Sequence, residues 1–245
     1  MRPRVPLWWR SHRIGSVEPG FFPYAGFAGN GLVRGSGAGW HVEGEDLSQS
    51  LASIANLMRE RRLTHVWRDE LLAVRNETGE VLGSIERAAV RPLGMPTHAV
   101  HLVGVDAQGR HWMQKRAASK PTDPGLWDTL VGGMVPASDT VPQALERETW
   151  EEAGLRMEQL HDVQYGGQVV TRRPAGEVPH GYVVEVLDWY RCVLPQGLAP
   201  ANQDGEVAEF RALSADEVAR RLQAGEFTLD AAAILVDAYA LDATP

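Results

Sequence analysis

Glu148, Glu151 and Glu152 are spaced three and four residues apart, which places their carboxylates on one side of any helix that carries them. Like charges held this close repel by roughly a few tenths of a kcal/mol per exposed pair, and by more where water is excluded. A cation turns that repulsion into a binding site. Carboxylate oxygens without His or Cys partners suit hard ions such as Mg²⁺ or Mn²⁺ better than zinc. Arg147 adjoins Glu148 and lies four residues before Glu151, so it can pair with a carboxylate and fix its orientation. Upstream, Gly132 and Gly133 let the backbone come close to the helix and can present a carbonyl as another oxygen ligand. Two adjacent glutamates alone usually mean a solvated acidic face. The chemical reading therefore depends on the wider pattern around them.

The elements that must position these groups are legible nearby. Thr140, with Gln143 three residues on and Pro142 in the first turn, predicts a helix over about 140–153. Residues 97–105 and 111–116 alternate like strands around an Asp-Ala-Gln-Gly turn at 106–109, and further strands are expected near 162–172 and 181–194. Two closing helices follow, the first with Ser214 and Glu217 as a capping box and Gly225 as its stop. Upstream, Leu47, Leu51, Ile54, Leu57 and Met58 recur at helical spacing behind a capping Asp46, and strands are expected at 71–74 and 81–85. The glycine-rich stretch from Gly26 to Gly39 reads as a long loop. Pro and Gly punctuation at 91–96 predicts a small N-terminal α/β domain over 1–95 and a larger domain over 96–245, a mixed sheet between helices.

Composition bounds the partners. The chain of 245 residues carries a formal charge of −8 with no run of Lys or Arg, which argues against broad nucleic-acid or anionic-membrane binding. A phosphate ligand must be held locally, through a metal. With 44% hydrophobic residues there is enough apolar side chain for a core. Cys192 is the one cysteine, so no internal disulfide forms, and its alternating neighbours predict a buried strand thiol. No apolar run approaches the roughly 20 residues of a membrane span, and the basic start lacks the apolar region of a secretory signal. A reduced, cytoplasmic protein is expected. His98, His101, His111, His161 and His180 lack metal-ligand spacing, and neither a GxSxG motif nor a P-loop is present.

Residues 132–155 resemble the Nudix box: Gly, five residues, Glu, seven residues, Arg-Glu, an apolar residue, any residue, Glu-Glu, any residue, Gly and an apolar residue. Gly133, Arg147, Glu148, Glu151, Glu152, Gly154 and Leu155 fall in register. Two positions depart: Asp139 replaces the family's Glu, and Thr149 replaces its aliphatic residue. Asp139 keeps the charge with one methylene less reach, so its contact with the helix is expected to be lost or bridged by water. The resemblance implies an α/β/α sandwich and metal-dependent hydrolysis of a diphosphate linked to an organic group. It implies Mg²⁺ or Mn²⁺ on Glu148, Glu151 and Glu152, helped by the Gly132 carbonyl, with Arg147 orienting a carboxylate. The general base stays open between Glu151 or Glu152 in the box and Asp204 or Glu206 in the 202–209 loop.

Segments 84–89, 115–133, 204–210 and 225–232 are similar to one branch, the Nudix half of fungal thiamine pyrophosphokinase fusions and related plant and bacterial proteins with an extra N-terminal domain. That likeness implies a small-molecule substrate of the thiamine diphosphate class, including its oxidised analogues, cut to the monophosphate by a standalone hydrolase, and a pairing into homodimers. Lys115, Arg116 and Lys120 can meet diphosphate oxygens as charge-assisted donors, and Asp128 can bind an amine or order its loop. Trp8, Trp9, Trp40 and Trp67 suggest the N-terminal domain as a lid or a stacking wall for a flat heterocycle. Competing readings are a pyrophosphatase for ADP-ribose or dinucleotides, an isopentenyl diphosphate isomerase, disfavoured by the position of Cys192, and a noncatalytic ligand sensor.

Overall fold

The computed structural model describes residues 2–27 and 29–242, and the chain divides into two compact units. The first comprises Met1–Thr97, Pro136–Ser138 and Arg172–Glu185; the second comprises His98–Val135, Asp139–Thr171 and Val186–Pro245. Two segments beyond residue 97 thus belong with the N-terminal unit.

In the first unit β1 (Val5–Trp9) and β2 (His12–Val17) form a hairpin, followed by the short helix α1 (Phe21–Tyr24), β3 (Val33–Ser36) and β4 (Gly39–Val42), in the sheet order β2-β1-β4-β3. Helix α2 (Leu47–Glu60) is capped by Asp46, whose carboxylate accepts the Gln49 N–H at 2.8 Å, and it buries Leu47, Leu51, Ile54 and Met58. Strands β5 (Leu71–Arg75) and β6 (Val81–Glu86) pair antiparallel. The glycine-rich stretch is not all loop: β3 lies within it, paired with β4. Tertiary packing overrides the weak strand propensity there, because the Trp40 ring lies 3.4 Å from where a Cβ on Gly35 would stand. The four tryptophans of this unit are engaged within it. Trp9 is buried, Trp8 stacks on His41, Trp40 packs edge-on against Phe22, and Trp67 lies under the Arg59 guanidinium.

The second unit holds most of a seven-stranded sheet. Its strands are β7 (Pro96–Asp106), β8 (His111–Arg116), β9 (Trp127–Asp128), β10 (Val131–Met134), β11 (His161–Pro174), β12 (Tyr182–Leu194) and β13 (Val207–Leu213). The order is β11-β12-β7-β8-β13, with β10 on β7 and β9 on β8. Alternation along β7 sends Leu102 into a core with Ala144 and Leu145 of helix α3 (Val141–Ala153), and Val103 into a second core on the opposite face. Val218 of α4 (Ala215–Gln223) and Ile234 and Leu235 of α5 (Leu229–Asp242) close that second core. Helices cover both faces of the sheet, the expected sandwich. Ser214 caps α4 through the Glu217 N–H, but the Glu217 carboxylate pairs with Arg221 instead of completing the box. Among the described residues no helix is long and apolar enough to cross a membrane.

Cys192 sits in the α3-side core, where burial pushes its thiol up to about 12. Thiolate is the reactive species. A disulfide reagent at neutral pH is expected to leave the folded protein unlabelled and to modify one thiol per chain in denaturant. Prompt labelling of the native protein would contradict this burial.

Candidate active site

Helix α3 carries the acidic cluster and both its ends are fixed by sequence. Thr140 and Gln143 form a reciprocal capping box, and Gly154 ends the helix with φ at 62°, a left-handed conformation that glycine adopts without strain. Thr149 is fully buried in place of an aliphatic residue, and its hydroxyl donates to the Leu145 carbonyl at 2.6 Å. That back-bond satisfies the polar atom inside the core.

Glu152 is 2% exposed. Its Oε2 accepts the Gly132 N–H at 2.9 Å and the Gln114 Nε2 donor at 2.8 Å, and Lys120 Nζ stands 3.7 Å from its Oε1. Burial pushes this carboxyl up to about 8, against the Lys120 charge and the Gly132 N–H, which pull it down. Glu148 is raised as well, by burial first, with Arg147 opposing the shift and Glu151 adding to it. Glu148 also explains why a glycine must stand at 133: a Cβ there would lie 2.0 Å from its carboxyl carbon. Gly133→Ala is expected to displace the Glu148 carboxylate and lower hydrolytic rate at least tenfold while leaving thermal unfolding cooperative; wild-type rates in that variant would show that the carboxylate position does not matter.

Arg147 organises the other side of the cluster. Its Nη1 donates to Glu148 at 2.8 Å and Glu151 at 2.9 Å, its Nε to Asp139 at 3.1 Å, and its Nη2 to the Met134 carbonyl at 3.3 Å. Burial works against the guanidinium charge, but these contacts outweigh it and hold the group above its usual range. The shorter Asp139 therefore keeps a direct contact with the helix, contrary to the expectation of a lost or water-bridged one. Arg147 spans the missing methylene by reaching back eight residues with its own long side chain.

The remaining candidates occupy different places. Lys120 pairs with Glu206 as well as approaching Glu152, so the 202–209 loop does deliver a carboxylate to the cluster. Asp204 accepts the Glu206 N–H at 2.8 Å and shapes that loop. Arg116 donates twice to the Thr122 carbonyl and once to buried Asp128, an arrangement that orders the 117–126 loop. Lys115 places its ammonium 5.8 Å from the Trp127 ring centre. Sequence reasoning did not find Gln114, His101 or Thr129. Gln114 is a buried polar residue on β8, and His101 bonds Thr129 Oγ1 at 2.9 Å with its ring against Gly132. For Gln114 the available signal was an uncharged polar side chain directly after the apolar Trp112 and Met113 on β8.

The donor types fit a hard divalent ion, and the Lys120 ammonium between Glu152 and Glu206 shows that the cluster accepts a cation. Among the described residues no three His, Cys, Asp or Glu side chains converge as a ready ligand set. The physical reason is visible: Arg147 draws Glu148 and Glu151 to itself, and Lys120 draws Glu152 and Glu206.

A sandwich with this loop, helix and carboxylate pattern defines the Nudix class. The family model for the NUDIX domain matches residues 95–233, so the chain belongs to that family. Nudix hydrolase 24, chloroplastic, from Arabidopsis thaliana is 29% identical over 243 residues, covering 95% of this chain and 66% of the relative. Nudix hydrolase 20, chloroplastic, from the same plant is 30% identical over 187 residues, covering 75% of this chain and 49% of the relative. The chain thus spans from about half to about two thirds of these relatives' lengths. The crystal structure of DR0079 from Deinococcus radiodurans shares the fold, with a TM-score of 0.57 at 24% identity over 69% of this chain and 99% of that one.

Proposed function

We propose that the protein is a metal-dependent hydrolase that cleaves a diphosphate joined to an organic group, with thiamine diphosphate and its oxidised analogues as the leading substrates. The observation that carries the reaction type is Glu152, a carboxyl buried on α3 yet anchored by Gly132 and Gln114 and faced by Lys120. Structural stability alone gives no reason to bury such a group among other carboxylates. Glu148, Glu151 and Glu152 would hold Mg²⁺ or Mn²⁺, with the Gly132 carbonyl beside them. The ion would supply positive charge to offset the negative charge that builds on diphosphate oxygens during displacement. Glu152 or Glu206 would accept the proton of the attacking water, and Arg147 would keep Glu148 and Glu151 oriented.

Lys120 adds a donor for a phosphate oxygen, with Lys115 and Arg116 on β8 and Asp128 on β9 flanking its loop. The thiamine-type substrate is supported by the sequence likeness over about 50–240. A reduced, cytoplasmic setting accords with the single buried cysteine. The test is a substrate panel with Mg²⁺ and Mn²⁺. Monophosphate should appear from thiamine diphosphate or an oxidised analogue, and activity confined to ADP-ribose or dinucleotides would reassign the substrate. Ligand-induced stabilisation with no phosphate released from any compound would replace the hydrolase by a sensor.

A further inference from the structure

The chain has 22 arginines but only two lysines, Lys115 and Lys120, and one of these lies inside the carboxylate cluster. Lys120 belongs to the loop between β8 and β9, folded back by its own N–H onto the Ala117 carbonyl at 3.1 Å. The Ala117 N–H in turn bonds the Glu206 carbonyl at 2.9 Å, so the two loops are stitched together at the site. The Lys120 ammonium pairs with the Glu206 carboxylate, lies 3.7 Å from Glu152 Oε1 and interacts electrostatically with Glu148. The side chain is only 13% exposed.

Two internal cations therefore share the acidic groups, and they are not equivalent. The Arg147 fork is fixed by four acceptors at once. Lys120 is a compact point charge on a flexible stem carried by a loop, so it can withdraw without dismantling the helix. Resting on the reading of these carboxylates as a metal site, we propose that Lys120 is a tethered counter-cation. Its ammonium fills the cation position between Glu152 and Glu206, competes there with a divalent ion, and turns toward diphosphate oxygens when the ion enters. Repulsion between like charges drives the exchange, since ammonium and dication cannot share the same few oxygens. By linkage, an anionic substrate that draws Lys120 away tightens ion binding, and the ion tightens substrate binding by the same factor.

The test needs no substrate. Calorimetric titration of the full chain with MnCl₂ should show Lys120→Met binding Mn²⁺ roughly 10- to 100-fold more tightly than wild type, the scale on which one nearby charge shifts a charged group. Lys120→Arg, which retains the charge, should stay close to wild type. A second readout uses the unmodified protein: acetylation by an N-hydroxysuccinimide ester, read by mass spectrometry with Lys115 as internal reference. Mn²⁺ should raise the labelling of Lys120 several-fold relative to Lys115. An affinity unchanged or weakened in Lys120→Met, or labelling that Mn²⁺ leaves unmoved, overturns the proposal while the hydrolase reading stands. Tighter Mn²⁺ binding in a protein inactive on every diphosphate keeps the role of Lys120 and sinks the substrate reading. Absence of Mn²⁺ binding in both wild type and variant sinks both.

Discussion

Glu152→Gln is expected to lower kcat by roughly 10²–10⁴-fold, the range spanned by loss of a proton acceptor, or further if ion binding is lost with it. The fold should survive. The glutamine carbonyl oxygen can still accept from Gly132 and Gln114, which anchor this side chain at 2.9 and 2.8 Å. Burial disfavours the ionised carboxyl so strongly that its pKa rises to about 8, so a neutral amide of the same shape relieves a cost already present in the protein. Stability of the metal-free variant should therefore lie within about 1 kcal/mol of wild type, or above it, as replacements of buried charge often do. The pair of measurements is steady-state hydrolysis and urea denaturation. Retention of more than about a tenth of the rate would remove Glu152 from the chemistry and direct attention to Glu206. Loss of both rate and fold would make the residue structural.

Arg147→Ala is expected to damage both activity and stability. It removes the one donor group shared by Asp139, Glu148, Glu151 and the Met134 carbonyl, and leaves the partly buried Glu148 facing Glu151 with no adjoining guanidinium. Breaking a fully buried pair costs about 3–5 kcal/mol. The Arg147 side chain is 34% exposed, so solvent screening reduces the expected loss to about 2 kcal/mol. Arg147→Lys should recover less than half of it, because a single ammonium cannot reproduce a planar fork aimed at four acceptors. Urea midpoints for the two variants decide this. Equal stability of wild type and Arg147→Ala would show that the network contributes nothing net to folding and serves only to orient the carboxylates.

Much of this geometry was legible because it is local. A helix repeats every 3.6 residues, so spacing alone put Glu148, Glu151 and Glu152 on one side of α3, and Thr140, Gln143 and Gly154 marked its ends. Asp46 and the apolar stripe of α2 were readable for the same reason. The strand β3 was not readable, because Gly35 and the glycines flanking the strand carry no strand signal and its order comes from the Trp40 ring laid across it.

What the sequence determined by itself was the family, the acidic box, the sandwich layering and the pairing of Arg147 with its neighbours. The helix and the Arg147 pairing follow from contacts within about a dozen residues, where chain geometry leaves few options. The family came from the resemblance of the whole motif, and the layering from the order of strands and helices along the chain. Only the tertiary structure decided that Gln114 anchors Glu152 and that Glu206 crosses 86 residues to meet Lys120. Partners so far apart in the chain are chosen by strand order and loop packing, which no spacing rule encodes. Burial then sets the charge state of Glu152, because the surrounding dielectric belongs to the folded protein and not to the residue.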